Sequence, residues 1–378
     1  VEQPVTVNIQ GANDIPLMGW SSVTLQEDGA TSAANFIPGK NTGASPVDAE
    51  GDTLVYGVAG LSDGKDSWGV ARGKLDYTGE HGGKTLEVAV SKTVDGQTTA
   101  HTESIEILKT ATVDSDSDEG SHQLVVTNYG VLDLNTTSGA FTFISGTALN
   151  SSALSTALTD AGFDADVAAA YLKTITSHVD SLAEGEKLSF SFQATVKDSH
   201  GLTGTHLIGV TINGANDAPT VAESTADVTL GLTESGKSGD IGTDFANGRN
   251  GDNAKGTSTD SGSFTVHDVD GDALSVTGLT FTDGTDAAAS VTGTNADGAT
   301  AYHTAYGDLV LTPTTNNDGS VTYNYNFNLD NASAAVNSLD EGETKTLTFT
   351  VSVADSQGGT VEQPVTVNIQ GANDIPLM

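Results

Sequence analysis

Phe190, Phe192, Ala194 and Val196 are separated by single polar residues, and so are Leu347, Phe349, Val351 and Val353. Alternation with period two puts one set of side chains on one face, so each run predicts a half-buried strand. Ile208, Val210 and Ile212, and again Val365, Val367 and Ile369, predict a further strand that ends both times in the tetrapeptide GAND. The two copies differ where Leu188 precedes the first run and Lys345 the second, so the second apolar face starts two residues later. A different period appears once: Val167, Tyr171, Ile175 and Val179 recur every four residues within 164–182. That spacing predicts one helix, with Asp164 or Asp166 placed to cap it. The second copy keeps only the remnant SAAVNSL at 333–339.

These patterns repeat at fixed offsets. SLAEGE at 181–186 matches SLDEGE at 338–343, KDSHG at 197–201 matches ADSQG at 354–358, and GANDAP at 214–219 matches GANDIP at 371–376, each 157 residues later. Further upstream, YGVLDL at 129–134 matches YGDLVL at 306–311, and DAEGD at 48–52 matches DVDGD at 268–272, so the first copy carries insertions before and after its Tyr-Gly strand. VEQPVTVNIQGANDIPLM at 1–18 returns unchanged at 361–378. Identity over 18 residues means either tandem copies in a longer protein or an engineered duplication, and tandem copies are the favoured reading. Residues 1–18 are then expected to be the last strand and linker of a preceding repeat, followed by domains at 19–219 and 220–378. Strands and turns repeated in two domains predict an all-β chain of two tandem antiparallel β-sandwiches, the first with an inserted helix and an extra hairpin.

Composition changes the picture in three ways. Asp plus Glu number 50 against 14 Lys plus Arg, a net charge of −36, and such a surface repels phosphate backbones and anionic lipid headgroups. No nucleic-acid partner is expected, and no stretch approaches the roughly 20 apolar residues that insertion into a membrane requires. Cysteine is absent, which excludes disulfides and thiolate metal sites. The eight histidines form no HExxH, and neither a GxSxG elbow nor a phosphate-binding glycine loop occurs, so no enzyme activity is expected.

The acidic motifs carry the chemistry. Asp48, Glu50 and Asp52, like Asp268, Asp270 and Asp272, alternate with a glycine before the last acid. Such a glycine allows a sharp turn that aims several oxygens at one point, and converging carboxylates repel unless a cation lies among them; hard oxygen ligands favour Ca2+. The competing reading is a solvated acidic turn, and that is the reading for VDSDSDEG at 113–120, whose glycine comes one position late for an EF-hand.

NGANDAPT, DVDGD, SLDEGETKTLTFTVSVADSQGGT and VTVNIQGAND resemble the bacterial cadherin-like and VCBS-type repeats of giant RTX adhesins, over nearly all of 220–378 and the two ends of 19–219. The resemblance implies cadherin/Ig-like sandwiches and calcium held between successive domains. It implies one ligand set from Glu27, Glu184, Glu186, Asn216, Asp217, Asp268, Asp270 and Asp355. A second set would use Asn13 and Asp14 with Asp48, Glu50 and Asp198, and a third Glu234, Glu341, Glu343, Asn373 and Asp374. The chain departs from the family in Glu50, where an aspartate is usual, and in linkers without a second Asn. The resemblance implies a secreted, extracellular spacer on a bacterial surface, whose partners are neighbouring repeats of the same chain and whose adhesive tip lies elsewhere in the parent protein. The alternative is a binding module for a glycan or protein, with its site in 53–128; Trp20 and Trp68 could stack on a sugar, but isolated tryptophans more often pack in a core or junction.

Overall fold

A computed structural model describes residues 10–16, 21–27, 48–62, 85–94, 97–114, 120–147, 150–222, 229–235, 256–284, 289–290, 293–296 and 299–372. The strand expected at 1–10 lies outside the described residues except for Gln10, as do Trp20, Trp68, most of the 113–120 turn, Asn373 and Asp374. The chain divides into two units, Val1–Ala215 and Asn216–Met378.

The first unit contains β1 (Ser21–Gln26), β2 (Val55–Ser62), β3 (Thr85–Val94), β4 (Gln97–Val113), β5 (His122–Thr127), β6 (Gly130–Asn135), β7 (Phe141–Ser145), α1 (Ser151–Asp160), α2 (Ala165–Val179), β8 (Glu186–Lys197) and β9 (Thr203–Asn213). Hydrogen bonding links the strands in the order β1-β9-β8-β3-β4-β5-β6-β7, with β2 also on β8. The alternating residues of β8 and β9 face one core, where Phe190 lies opposite Val210 and Phe192 opposite Ile208. β4 pairs first with β3 and then with β5, a pairing that carries a register shift between Ile107 and Lys109. Phe141, Phe143, Leu132 and Leu134 thereby join Phe190, Phe192 and Val210 in one core.

Two helices stand where the sequence predicts one. Asp164 is the N-cap residue of α2, with no hydrogen bond from its side chain. The buried face of α2 carries Ala168, Ile175 and Val179, and Val167 is 41% exposed. Spacing by four alone drifts around a helix of 3.6 residues per turn, which is why the first member of the predicted stripe misses the core. α1 and α2 cover the outer faces of β5 and β6, so Leu124, Val126 and Val131 pack with Leu154, Leu158 and Ile175 in a separate core.

The second unit contains β10 (Thr220–Val221), β11 (Thr229–Thr233), β12 (Thr259–His267), β13 (Ser275–Thr282), β14 (Ala289–Ser290), β15 (Gly293–Ala296), β16 (Ala299–Thr304), β17 (Gly307–Thr315), β18 (Val321–Leu329), β19 (Thr344–Ala354) and β20 (Thr360–Gln370). Its sheets run β10-β12-β18-β17-β16-β15 and β11-β20-β19-β13-β14. Phe264, Tyr323 and Phe327 of one sheet meet Leu347, Phe349 and Val365 of the other in a single core, the arrangement of a β-sandwich. The remnant at 333–339 supplies Val336 and Leu339 to that core. Lys345, on the apolar face of β19, places its Nζ 3.3 Å from Asp283 and above the Tyr306 ring, so its stem stays inside while its charge is paired.

Among the described residues, the pairing is antiparallel except in one place per unit. β1 runs parallel to β9 and β11 parallel to β20, with Val23 beside Val210 and Leu230 beside Val367. β1 and β11 thus form a sheet edge beside β9 and β20, the last strand of each unit. If the helix layer is integral to the first unit, truncating Leu158, which is fully buried in it, should cost about 2–5 kcal/mol. Chemical denaturation of Leu158→Ala should then move the first unit's transition and leave the second unit's in place.

Candidate metal centres

Each unit folds an acidic loop around its first aspartate. In the first unit Asp48 Oδ1 accepts the amides of Glu50 at 3.1 Å and Asp52 at 2.8 Å, while Gly51 turns back on the Asp48 carbonyl. In the second, Asp268 Oδ1 accepts the amide of Asp272 at 3.1 Å, and Gly271 turns back on the Asp268 carbonyl. Gly51 and Gly271 have φ of 80° and 74°, a region in which a Cβ is disfavoured. A Cβ there would meet nothing within 4 Å, so the requirement is conformational and not steric.

A second loop closes over the first. Asp198 Oδ1 accepts the amides of His200 and Leu202, both at 2.9 Å. Asp355 Oδ1 accepts those of Gln357, Gly358 and Gly359 at 2.6–2.9 Å. The segment entering each unit completes the arrangement. Asn13 Nδ2 donates to Asp198 Oδ2 at 2.8 Å, and Asn216 Nδ2 to Asp355 Oδ2 at 3.2 Å. The Asp14 amide faces Glu50 Oε2 at 3.4 Å, and the Asp217 amide faces Asp270 Oδ2 at 2.8 Å. Glu50 therefore occupies the position of Asp270 with a longer reach.

Carboxylate oxygens of Asp48, Asp52 and Asp198 lie within 4.8 Å of one another, as do those of Asp268, Asp270 and Asp272. Among the described residues no Lys or Arg forms an ion pair with these six side chains. Burial, reinforced by the charges of Asp272 and Asp355, raises Asp268 above the usual carboxylate range. Burial also dominates at Asp270; with the charges of Asp217, Asp268 and Asp272 it outweighs the amide of Asp217 and pushes Asp270 up to about 6. Asp198 and Asp355 go the other way. Burial would raise both, but the Asn side chains and loop amides outweigh it and hold both low.

The two clusters fit a hard cation. Asn13 Oδ1, Asp48 Oδ2, Asn216 Oδ1, Asp268 Oδ2 and Asp270 Oδ1 are buried acceptors with no hydrogen-bond partner. Orphaned acceptors are costly in a protein interior. Here all five are oxygens of one repeated motif, the donor set that calcium takes.

The predicted glutamates fall into two groups. Glu27 and Glu234 are buried at the ends of β1 and β11. Glu27 Oε2 accepts the amide of Ala215 at 2.6 Å and Glu234 Oε2 that of Ala372 at 3.1 Å, so each holds the GAND turn of its own unit. Gly214 and Gly371 of those turns press against the SLxEGE turn, where a Cβ would collide with carbonyl oxygens. Glu186 and Glu343 close that turn, accepting the amides of Ala183 and Asp340 at 3.3 and 3.1 Å. Glu184 and Glu341 are exposed, and none of these four joins a carboxylate cluster among the described residues. One residue beside the first cluster escapes sequence reasoning: His200 Nδ1 lies 2.6 Å from Asp52 Oδ2. The two are 148 positions apart, and alignment with Gln357 is the signal that marks the position.

No protein-family profile matches the chain, and no curated protein does. Solved structures that resemble it include CfaE, the adhesive subunit of the CFA/I fimbria of enterotoxigenic Escherichia coli. That match has 11% identity, covers 96% of this chain and 100% of CfaE, and has a TM-score of 0.33. Human CDH23 EC21-23 gives 10% identity over 92% of this chain and 67% of that one, with a TM-score of 0.31. Mouse clustered PcdhgC3 EC1-3 gives 11% over 69% and 54%, with a TM-score of 0.28. The neighbours are adhesin and cadherin domains, and at these TM-scores the likeness carries no functional argument.

The raised Asp270 sets a pH dependence for the metal-free protein. Its folded value of about 6 exceeds the unfolded value of about 4, so the folded state binds the proton more tightly. That contribution is fully present below about pH 4 and is lost as pH rises through about 6. In chelator, the second unit's melting midpoint should therefore rise between pH 7.5 and pH 5, a window above the depressed range of Asp355. A midpoint that falls over this interval would contradict the assignment.

Proposed function

We propose that the chain is a calcium-stiffened spacer of a secreted bacterial surface adhesin, drawn from a tandem array of cadherin-like, VCBS-type repeats of the RTX adhesin kind, and that it is not an enzyme. On this reading residues 1–18 end a preceding repeat, 19–219 and 220–378 are successive sandwiches, and the partners are further repeats, with the adhesive tip elsewhere in the parent protein. One observation carries the proposal. The same oxygen cage is built twice, each time from the segment that enters a sandwich and two loops of that sandwich. A device that fixes the incoming segment of every repeat sets the direction in which each sandwich follows the chain.

Calcium bound in such a cage supplies positive charge that offsets the converging carboxylates. The residues do the rest: Asn13 and Asn216 anchor the incoming segment to Asp198 and Asp355, and the acidic loops take up the following amide. Without the cation, the same loops hold like charges together in partly buried surroundings, which favours their opening. The −36 charge keeps such fibres soluble and apart from anionic surfaces.

Extracellular calcium modules bind at about 10⁻⁴–10⁻³ M, and a ligand at a hundred times its dissociation constant adds about 2.7 kcal/mol per site. Both units should therefore melt substantially higher in excess calcium than in chelator by calorimetry, and an unchanged midpoint would falsify the metal reading. Replacing Asn216 and Asp217 together with Ala should leave both sandwiches folded by circular dichroism. Small-angle scattering in calcium should then give a broader distance distribution than the parent, and an identical profile would remove the linker from the ligand set.

A further inference from the structure

Besides Glu50 in the place of Asp270, one position sets the two cages apart. Two residues after the loop aspartate, the first unit has His200 where the second has Gln357. Their backbones act alike, with amides on Asp198 Oδ1 at 2.9 Å and Asp355 Oδ1 at 2.8 Å. Their side chains differ in kind: an imidazole offers a nitrogen lone pair, and a carboxamide offers an oxygen. His200 directs Nδ1 to within 2.6 Å of Asp52 Oδ2, at the edge of the cluster formed by Asp48, Asp52 and Asp198.

We infer that the first cage is also a site for a borderline transition dication, of which Zn2+ is the representative, with His200 as its nitrogen donor, whereas the second cage stays an oxygen site for a hard cation. The inference rests on the reading of these loops as cation cages and adds a difference in selectivity between them. Oxygen-only cages favour calcium and magnesium, and an imidazole shifts preference towards zinc, copper and nickel. Two buried acceptors of the first cage, Asp48 Oδ2 and Asn13 Oδ1, have no hydrogen-bond partner and supply oxygen donors beside the imidazole.

The spacing of His200 and Asp52 allows an ion between them. Zinc binds nitrogen and carboxylate oxygen at about 2.0–2.2 Å, so tetrahedral N and O ligands stand about 3.3 Å apart. The present 2.6 Å separation is that of a hydrogen bond, and the ring must retreat by about 0.7 Å to admit the ion. The His200 side chain is 61% exposed, and its Nδ1 also lies 3.4 Å from Ser199 Oγ, a long contact that the movement gives up. The proton shared between Nδ1 and Asp52 leaves to solvent as the metal takes its place.

Calorimetric titration of the chelator-treated full chain with Zn2+ at pH 8 tests this, using His200→Gln, which copies the second unit, and Gln357→His, which copies the first. The parent should bind zinc. H200Q should weaken its tightest zinc site by at least about tenfold while keeping the calcium-induced rise in midpoint, and Q357H should add one zinc site. Equal zinc affinity in the parent and H200Q would overturn the inference, as would a parent that binds no zinc. Loss of zinc binding in H200Q upholds it even where calcium leaves the parent's midpoint unmoved, an outcome that would sink the calcium reading alone.

Discussion

Carboxylates that converge in a partly buried loop form the constraint from which the functional part of this structure follows. Asp268 and Asp270 are held above the normal carboxylate range by burial and by the charges of neighbouring carboxylates, and amide hydrogen bonds satisfy only some of the oxygens around them. The backbone is nonetheless shaped to keep them there. Gly51 and Gly271 adopt positive φ to complete the turn, and the amides of each second loop converge on Asp198 or Asp355. Donors placed in this way hold like charges together in an arrangement that could take up a cation.

The same frame serves two different surfaces. In the first unit α1 and α2 lie over β5 and β6, so both faces of those strands are apolar and a separate core results. In the second, the counterpart sheet turns exposed Ser261, Ser263 and Asn324 outward, and the segment matching the helices shrinks to a turn that inserts Val336 and Leu339 into the single core. The cages are unaffected because they rest on the strands common to both units: β8 and β9 in one, β19 and β20 in the other. The helices are inserted between β7 and the start of β8, the opposite end of that strand from the Asp198 loop.

Much of this was legible in the sequence for a simple reason. A strand's period of two depends on the chain alone, so β8, β9, β19 and β20 follow from alternation, and the offset of 157 residues identifies equivalent loops before any contact is known. The DxxGD-type loops are local too, since an aspartate, a glycine in the left-handed region and the next acid determine their own turn. Asp48, Asp52, Asp268, Asp270 and Asp272 were therefore recognisable as groups that converge.

What the tertiary structure decided concerns groups that are distant in sequence. Parallel pairing of β1 with β9 and of β11 with β20 cannot be read from alternation, which fixes the face of a strand but not its neighbour or its direction. The role of Glu186 and Glu343 depends on side-chain reach, and both bend back onto their own turn. α1 carried no readable stripe because its few buried positions, Leu154, Ala157 and Leu158, acquire meaning only against β6 and β7. His200 meets Asp52 across 148 residues. By itself the sequence determined local conformation and repetition, because those follow from neighbouring side chains; the fold decided which distant oxygens and nitrogens share one space, because that depends on how the strands close.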